Sequence, residues 1–136
     1  MQLNPYLSFN GQCQAAFTYY QQVLGGEIVA MLNYADSPVA DQTSPEWRNK
    51  IIHARLIVGD KVLMGSDSPP QYQTETKGMC VALGVDDATE AERIFNALSE
   101  NGTVQMPIQE TFFAIRFGMC IDQFGIPWMV NCEKAS

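Results

Sequence analysis

The sequence has 136 residues, of which 46% are hydrophobic and 17% charged, so it suits one domain with a substantial core and is not disordered. Its 8 basic and 15 acidic residues give a formal charge of -7 and a pI near 4.5. Because this charge repels phosphate groups, the composition argues against nucleic acid and anionic membranes as partners.

The first predicted module begins with a strand and a helix. Apolar residues recur at helical spacing after Cys13 and predict a helix that ends at Gly25 and Gly26. Its four predicted strands span residues 4–9, 27–34, 51–58 and 61–66. Residues 35–49 form a predicted loop around Trp47, which is long enough to be a lid or a binding loop.

The second predicted module, residues 79–133, repeats this order after a connector at residues 68–78. Asp87 and Glu90 form an acidic variant of the capping box and mark the start of its helix. Its four predicted strands span residues 79–85, 104–109, 114–121 and 128–132.

Both modules, residues 4–67 and 79–133, contain a strand, a helix and three strands, so the sequence predicts an α+β fold of two βαβββ modules. One helix cannot cover both faces of four strands. The modules should therefore form a cupped mixed β-sheet, with helices on one face and a trough between the modules on the other. A trough of this kind suits a small ligand.

Strand alternation indicates which side chains could face that trough, because successive residues point to opposite faces. In the strand of residues 51–58, His53 and Arg55 share the face opposite an apolar row that should meet the helix. That apolar row is Ile52, Ala54, Leu56 and Val58. In the strand of residues 114–121, a mixed row is the candidate pocket wall. It consists of Ala114, Arg116, Gly118 and Cys120.

The four cysteines lack the paired spacing of a zinc or redox site, so we expect each to be a small buried hydrophobe. No apolar run approaches the roughly 18 residues of a membrane span. Residues 1–5 lack the basic and apolar parts of a secretory signal. We therefore expect a soluble, cytoplasmic protein.

Motifs along nearly the whole chain resemble those of one family. They lie at residues 5–7, 9, 11, 20, 23–26, 53–54, 63–67, 106–107, 111–113, 117–118 and 122–131. In combination they are similar to the PhnB-like branch of the glyoxalase/bleomycin-resistance/dioxygenase superfamily, also called vicinal oxygen chelate proteins. The resemblance implies paired βαβββ modules and a homodimer.

Metal-dependent members of that superfamily hold a divalent ion with His and Glu side chains at four strand positions. The resemblance places these positions at Pro5, at Leu63 or Met64, at Cys80 and at Met129. None of these residues suits nickel, zinc or ferrous iron, and a chain with one histidine cannot supply two. We therefore predict no metal and no cofactor. A zinc site of His53, Cys80 and a carboxylate is the alternative.

Members of this branch often carry the label demethylubiquinone methyltransferase. A nucleotide-type cofactor would require a glycine-rich turn from strand to helix and then an acidic ribose-binding residue. The sequence contains no such arrangement, so we base no mechanism on that label.

The candidate ligand-binding residues are Trp47, His53, Arg55, Met64, Cys80, Phe113, Arg116 and Met129. Histidine ordinarily titrates near neutral pH, so His53 is the first choice for proton transfer, although it could instead hold the sheet in register. Arg55 and Arg116 could bind a carboxylate or phosphonate through paired N–H groups. Alternatively, they could form ion pairs with Glu110 or Asp122.

Other candidates also have two interpretations. Trp47 could close over a ligand or lie in a subunit interface. Cys80 should face the trough, where a neighbouring cation could make it reactive; otherwise it is buried and inert. Phe112 and Trp128 are expected in the core.

The main hypothesis is a metal-independent homodimer that binds a small organic ligand, with an anion held by arginine as one possibility. The alternative is an enzyme of lyase, isomerase or glyoxalase-like type, with His53 as general base. A third hypothesis is an interaction module whose pocket has lost its use.

Overall fold

The computed structural model describes residues 1–134 and contains two α-helices and eight strands in that range. In chain order they are β1 (Tyr6–Phe9), α1 (Cys13–Leu24), β2 (Glu27–Asn33), β3 (Ile51–Val58), β4 (Lys61–Asp67), β5 (Val81–Gly84), α2 (Ala88–Ser99), β6 (Thr103–Gln109), β7 (Ala114–Ile121) and β8 (Pro127–Glu133). Neither of these helices is long and apolar enough to cross a membrane.

The strands form two four-stranded sheets with the same topology. The strand order is β1-β4-β3-β2 in the first sheet and β5-β8-β7-β6 in the second. In each sheet the first and last strands of the module pair in parallel, and the other neighbours are antiparallel. This arrangement confirms the predicted α+β class and the βαβββ repeat. The chain divides into two compact units, the first Met1–Thr74 and the second beginning at Glu75.

The segment between β2 and β3 is a loop, as predicted, but it has local structure. It contains three short 3-10 turns, Tyr34–Asp36, Ala40–Gln42 and Pro45–Trp47. Backbone hydrogen bonds close the base of the loop, from Tyr34 N to Lys50 O at 3.0 Å and from Ala35 N to Arg48 O at 2.9 Å. The loop is therefore anchored to the sheet at both of its ends.

In the first unit, α1 packs its apolar face against the sheet. Phe17 and Tyr20 of the helix and Ala54 and Leu56 of β3 are fully buried. Gly65 of β4 lies under Phe17: a Cβ there would be only 2.8 Å from Phe17 Cε1. The alternate residues of β3 and β4 therefore face α1. The expected apolar row of β3 is confirmed at Ala54 and Leu56.

In the second unit, α2 packs against β7 and β8. Phe95 of the helix and Trp128 of β8 are buried, as expected for Trp128. A Cβ on Gly118 of β7 would be 2.6 Å from Phe95 Cε1, so the row that contains Gly118 faces α2. The prediction that this mixed row lines a pocket is therefore wrong. Its small residues allow the sheet to approach the helix.

Phe112 corrects a second prediction. It was expected in the core, but its relative exposure is 92%. Phe112 lies between β6 and β7, outside the alternating pattern of either strand. Among the aromatic rings of residues 1–134, it contacts only Phe113, with the ring centroids 5.1 Å apart.

Each unit contains one buried aspartate that ties backbone segments together. Asp67 accepts hydrogen bonds at 2.9 Å from the backbone N–H groups of Gly11, Cys13 and Ile51. It therefore joins the end of β4 to the start of α1 and the start of β3.

In the second unit, Asp122 is also buried. It accepts hydrogen bonds from Phe124 N at 2.8 Å, Ile126 N at 3.0 Å and Trp128 Nε1 at 2.8 Å. The assignment of Asp122 to turn geometry is thus confirmed. The carboxylate also fixes the orientation of the core tryptophan.

The predicted cap of α2 is formed in part. Asp87 Oδ2 accepts a hydrogen bond from Glu90 N at 3.0 Å, as expected of an N-cap residue. The Glu90 carboxylate does not complete the box. It instead accepts a hydrogen bond from Arg93 Nε at 2.9 Å, one turn further along the helix.

The close approach between β7 and α2 leads to a first prediction. Gly118→Ala should lower the free energy of unfolding by about 1–3 kcal/mol, because the new methyl group overlaps the buried Phe95 ring. Chemical denaturation would measure this loss. Gly84→Ala is the matched control, since a Cβ at that strand glycine meets nothing within 4 Å. An equal loss in both variants would contradict the close-packing explanation.

The hydrogen bonds of Asp67 lead to a second prediction. Asp67→Asn should lower the free energy of unfolding by about 3 kcal/mol, because an amide nitrogen replaces one of the two accepting oxygens and leaves a buried N–H unpaired. Asp60→Asn in the β3–β4 turn is the control, since that side chain is 88% exposed. Its effect should be within about 0.5 kcal/mol. A stable Asp67→Asn variant would disprove the structural role.

Candidate functional site

The face of the first sheet opposite α1 carries a group of polar side chains. Leu7, Leu63 and Gly65 point toward the helix side, so the residues that alternate with them point the other way. Tyr6 pairs with Met64 across the β1–β4 junction, and Met64 pairs with Arg55 of β3. We call this surface the polar face. It consists of Tyr6, Ser8, His53, Arg55, Met64 and Ser66.

His53 and Tyr6 form a contact pair on the polar face. Tyr6 Oη and His53 Nδ1 lie 3.3 Å apart, and the two rings are stacked with centroids 5.9 Å apart and an interplanar angle of 24°. The tyrosine hydroxyl can donate to Nδ1 of the neutral imidazole, which places the ring proton on Nε2. The pair therefore orients the imidazole and leaves Nε2 without a hydrogen-bond partner in residues 1–134.

Arg55 lies two residues after His53 and points to the same face. Its Nε is shielded from solvent and has no hydrogen-bond partner among the described residues. No carboxylate in that part of the chain lies within 4.0 Å of its guanidinium group, although Arg93 and Arg116 each contact a glutamate. The polar face therefore contains a cation that has no ion-pair partner in residues 1–134.

The corresponding face of the second sheet is mostly apolar, apart from Asn131 of β8 beside Phe117. Met106, Met119 and Met129 form a row across three neighbouring strands, since Met119 pairs with each of the other two. On the same face of β7, the Phe117 ring meets Phe113 edge to face, with centroids 5.0 Å apart and an interplanar angle of 72°. We call this surface the methionine face. The structure thus places Met129 and Phe113 in the second unit, and Met64 on the polar face of the first.

Arg116 is not on the methionine face. It extends toward α2, where its Nε donates to Glu92 Oε1 at 2.7 Å, and this hydrogen bond raises the pKa of Arg116. An ion pair was one of the two interpretations of Arg116, but the partner is Glu92 rather than Glu110 or Asp122. Glu110 pairs with Lys134 at 3.3 Å. Arg116 therefore stabilises the packing of α2 on its sheet.

The cysteines differ from the prediction at one position. Cys13, Cys120 and Cys132 are buried, as expected, and burial raises the pKa of Cys13 and Cys120. Cys80 is exposed, because it precedes β5 instead of lying within it. The prediction that Cys80 is buried is therefore wrong.

Trp47 is half-buried at the end of the third 3-10 turn. Its indole N–H has no hydrogen bond within the described chain. The Trp47 backbone N–H donates to Ser44 O and its carbonyl oxygen accepts from Lys50 N, both at 3.0 Å. Within residues 1–134, no hydrogen bond joins its side chain to His53 or Arg55.

The positions that hold a metal in the superfamily do not suit a divalent ion here. Met64 N donates to Pro5 O at 3.2 Å, so these two positions are adjacent, but proline offers no side-chain donor and methionine only a thioether. Cys80 is exposed and Met129 lies in the methionine row. In residues 1–134, no three His, Cys, Asp or Glu side chains are grouped so that they could hold a metal ion.

The helix starts also do not suit a nucleotide phosphate. At α1, the N–H groups of Gly11 and Cys13 already donate to the Asp67 carboxylate. At α2, Glu90 N donates to Asp87. Since each helix start binds a carboxylate of its own chain, the usual phosphate position is occupied in both units.

Residues 1–131 match the family model described as 3-demethylubiquinone-9 3-methyltransferase. The chain belongs to this family. The result confirms the resemblance to the PhnB-like branch, whose members often carry that description. The description is the name of the family.

Two relatives of the family resemble this chain over nearly its full length. Protein YjdN of Escherichia coli K12 is 36% identical and is aligned over 98% of this chain and 97% of its own. The crystal structure of protein PA1353 from Pseudomonas aeruginosa has 51% identity and a TM-score of 0.91, with 99% of both chains covered.

A more distant structure confirms the fold class. The fosfomycin resistance protein FosX from Listeria monocytogenes has a TM-score of 0.66, with 98% of this chain and 94% of FosX covered. Their sequence identity is 7%, so the likeness concerns the fold alone. The family member described here therefore has the glyoxalase/bleomycin-resistance fold.

Tyr6 is the site residue that sequence reasoning did not select. Its contact with His53 joins residues 47 positions apart and depends on the parallel pairing of β1 with β4. The only signal was its place at residues 5–7 of the family motif. The sequence could have paired Tyr6 with His53 only if the registers of β1 and β3 against β4 were known.

The exposure of Cys80 leads to a third prediction. Ellman's reagent should react rapidly with one thiol of the native protein, because Cys80 is exposed and the other three cysteines are buried. Cys80→Ser should remove this rapid phase, and denaturation should release the remaining thiols. Cys132→Ser is the control and should retain the rapid phase. Rapid reaction of the Cys80→Ser protein would contradict the assigned burial.

Proposed function

We propose that this protein binds a small organic ligand on the polar face of its first sheet, without a catalytic divalent metal. The observation that carries the proposal is the unpartnered Arg55 beside the oriented His53. Both side chains extend from one rigid strand, which is a suitable support for a binding site. The unsuitable donor set at the former metal positions supports the metal-independent part of the proposal.

The composition of the polar face also favours binding over a purely structural role. Buried polar groups are normally paired within a protein, because an unpaired group costs about 1–3 kcal/mol. The shielded Nε of Arg55 bears such a cost, because it forms no hydrogen bond in residues 1–134. A ligand that accepts hydrogen bonds would offset part of this cost when it binds.

The Tyr6–His53 contact favours a second candidate function, an enzyme of lyase, isomerase or glyoxalase-like type with His53 as general base. A general base needs an orienting partner on one nitrogen and an unprotonated second nitrogen. His53 meets both conditions in its other tautomer, in which Nδ1–H donates to Tyr6 Oη and Nε2 is free to accept a proton. The two candidates differ in outcome. An enzyme would change its ligand chemically, and His53→Gln would abolish that change.

The proposal extends to a cytoplasmic homodimer. The family resemblance supports the dimer, and the exposed ring of Phe112 supplies apolar surface that a second subunit could cover. The cytoplasmic location is the expectation from the sequence, in which no apolar run approaches the length of a membrane span. The third hypothesis, an interaction module, has no such support on the polar face.

The binding proposal leads to a fourth prediction. In a thermal-shift screen of small acids, phosphonates, amides, alcohols and amines, at least one compound should raise Tm by several degrees. A ligand at a hundred times its Kd stabilises the folded state by about 2.7 kcal/mol. The shift should persist after dialysis against EDTA. It should decrease in His53→Ala and in Tyr6→Phe.

The control is Tyr72→Phe, which removes a hydroxyl group from an exposed tyrosine outside the sheet. It should bind like the wild type. If no compound stabilises the protein, or if all three variants retain the full shift, the polar face is not a ligand site. A shift that disappears with EDTA and returns with nickel or zinc would disprove the metal-independent part.

A further inference from the structure

Arg55 differs from the other strand arginine in its surroundings. Arg116 donates to Glu92 at 2.7 Å and to the carbonyl oxygen of Ile115. Arg55 has no ion pair and no hydrogen bond in residues 1–134, and its Nε is also shielded from solvent. Its remaining N–H groups are the ones that an external acceptor could reach.

The chain has more acidic than basic residues, but no acidic side chain forms an ion pair with Arg55 in residues 1–134. It contains 15 acidic and 8 basic residues. The six residues of the polar face include no carboxylate. Glu27 of β2 pairs with Ile57, which shares the side of β3 with Arg55, but Glu27 forms no ion pair with Arg55. In a chain of this charge, an arginine without an acidic partner indicates that its counter-charge comes from outside.

The geometry of the guanidinium group limits the kind of counter-charge. Its planar fork of N–H groups matches the two oxygens of a carboxylate or a phosphonate. A single arginine in a protein of net charge -7 cannot follow a polyphosphate backbone, so the ligand carries one compact oxyanion.

His53 supplies a second polar contact for the same ligand. It is two residues from Arg55 on β3, so the two side chains leave the sheet about 7 Å apart. Tyr6 engages Nδ1 of His53, and Nε2 is left for the ligand. Met64 lies between Tyr6 and Arg55 in the register and offers an apolar, adaptable surface for the organic part.

We infer that the ligand of the polar face is a small organic acid whose carboxylate or phosphonate is bound by Arg55 and whose neighbouring polar group is bound by His53. The inference rests on the proposed function, since it names the class of ligand for the same surface. It adds a specific role for Arg55. Arg55 is a binding residue, and no group of residues 1–134 pairs with its guanidinium.

The test uses three related probes and two arginine variants. Benzoate and phenylphosphonate carry an oxyanion, and benzamide replaces the carboxylate of benzoate with a neutral amide of the same shape. Affinities are measured by NMR titration of the wild type, Arg55→Met and Arg48→Met. Arg48 is the matched control, because it is exposed and lies in the loop. Methionine retains most of the apolar length of the arginine side chain.

At least one oxyanion should bind the wild type at least tenfold more tightly than benzamide, because hydrogen bonds to a charged group are the strong ones. Arg55→Met should lose at least tenfold in affinity for that oxyanion, whereas Arg48→Met should bind it like the wild type. Higher salt should weaken the wild-type complex.

A second measurement separates binding from folding. Because Arg55 makes no hydrogen bond within the described chain, Arg55→Met without ligand should have a Tm equal to or higher than that of the wild type. A lower Tm would indicate a structural role and would overturn the inference.

The binding results separate the two levels of the proposal. If benzamide binds as tightly as benzoate and Arg55→Met binds normally, while His53→Ala binds weakly, the oxyanion inference fails and the ligand site stands. If none of the three probes binds the wild type, the inference fails. In that case the wider compound screen decides whether the polar face is a ligand site at all.

Discussion

The buried carboxylates of Asp67 and Asp122 are the interactions on which the rest of each unit depends. Asp67 accepts hydrogen bonds from Gly11 and Cys13 at the start of α1 and from Ile51 at the start of β3, so it joins separate segments. Asp122 accepts from two backbone N–H groups of the turn before β8 and from the Trp128 indole, so it fixes that turn and the core tryptophan. In the first unit the carboxylate also accepts the free N–H groups at the start of α1, which a helix otherwise leaves unpaired. The helix, β3 and β4 are thereby held in one arrangement, and that arrangement determines which residues of β3 point away from the helix.

The polar face follows from this scaffold. Since Ala54 and Leu56 must contact α1, His53 and Arg55 have to extend from the opposite side of the strand. The parallel pairing of β1 with β4 then brings Tyr6 within reach of His53. The packing of the core and the composition of the polar face therefore both follow from the same strand register. In residues 1–134 Arg55 forms no ion pair, although Glu27 of the neighbouring strand β2 pairs with Ile57 on the same side of β3.

Much of the fold could be predicted from residue spacing, and the site only in part. The apolar residues after Cys13 and the cap at Asp87 identified both helices, and alternation in β3 identified the side of His53 and Arg55. The face of β7 was assigned wrongly, because Gly118 and Cys120 resemble a mixed polar row although their small size serves contact with Phe95. Tyr6 could not be found, since a contact over 47 positions requires the register between strands. Cys80 was misplaced because the strand begins one residue after it.

The methionine row has a consequence for how the two halves of the chain can diverge. Met64 and Met129 occupy equivalent strands of the repeat, but Met64 has Tyr6 and Arg55 as neighbours, whereas Met129 has Ala82 and Met119. The two halves share their strand topology and each packs a helix on one side of its sheet, whereas the other side carries different residues. Evolution can therefore assign a new ligand to one half by changing a few outward residues, while the other half preserves the inherited scaffold.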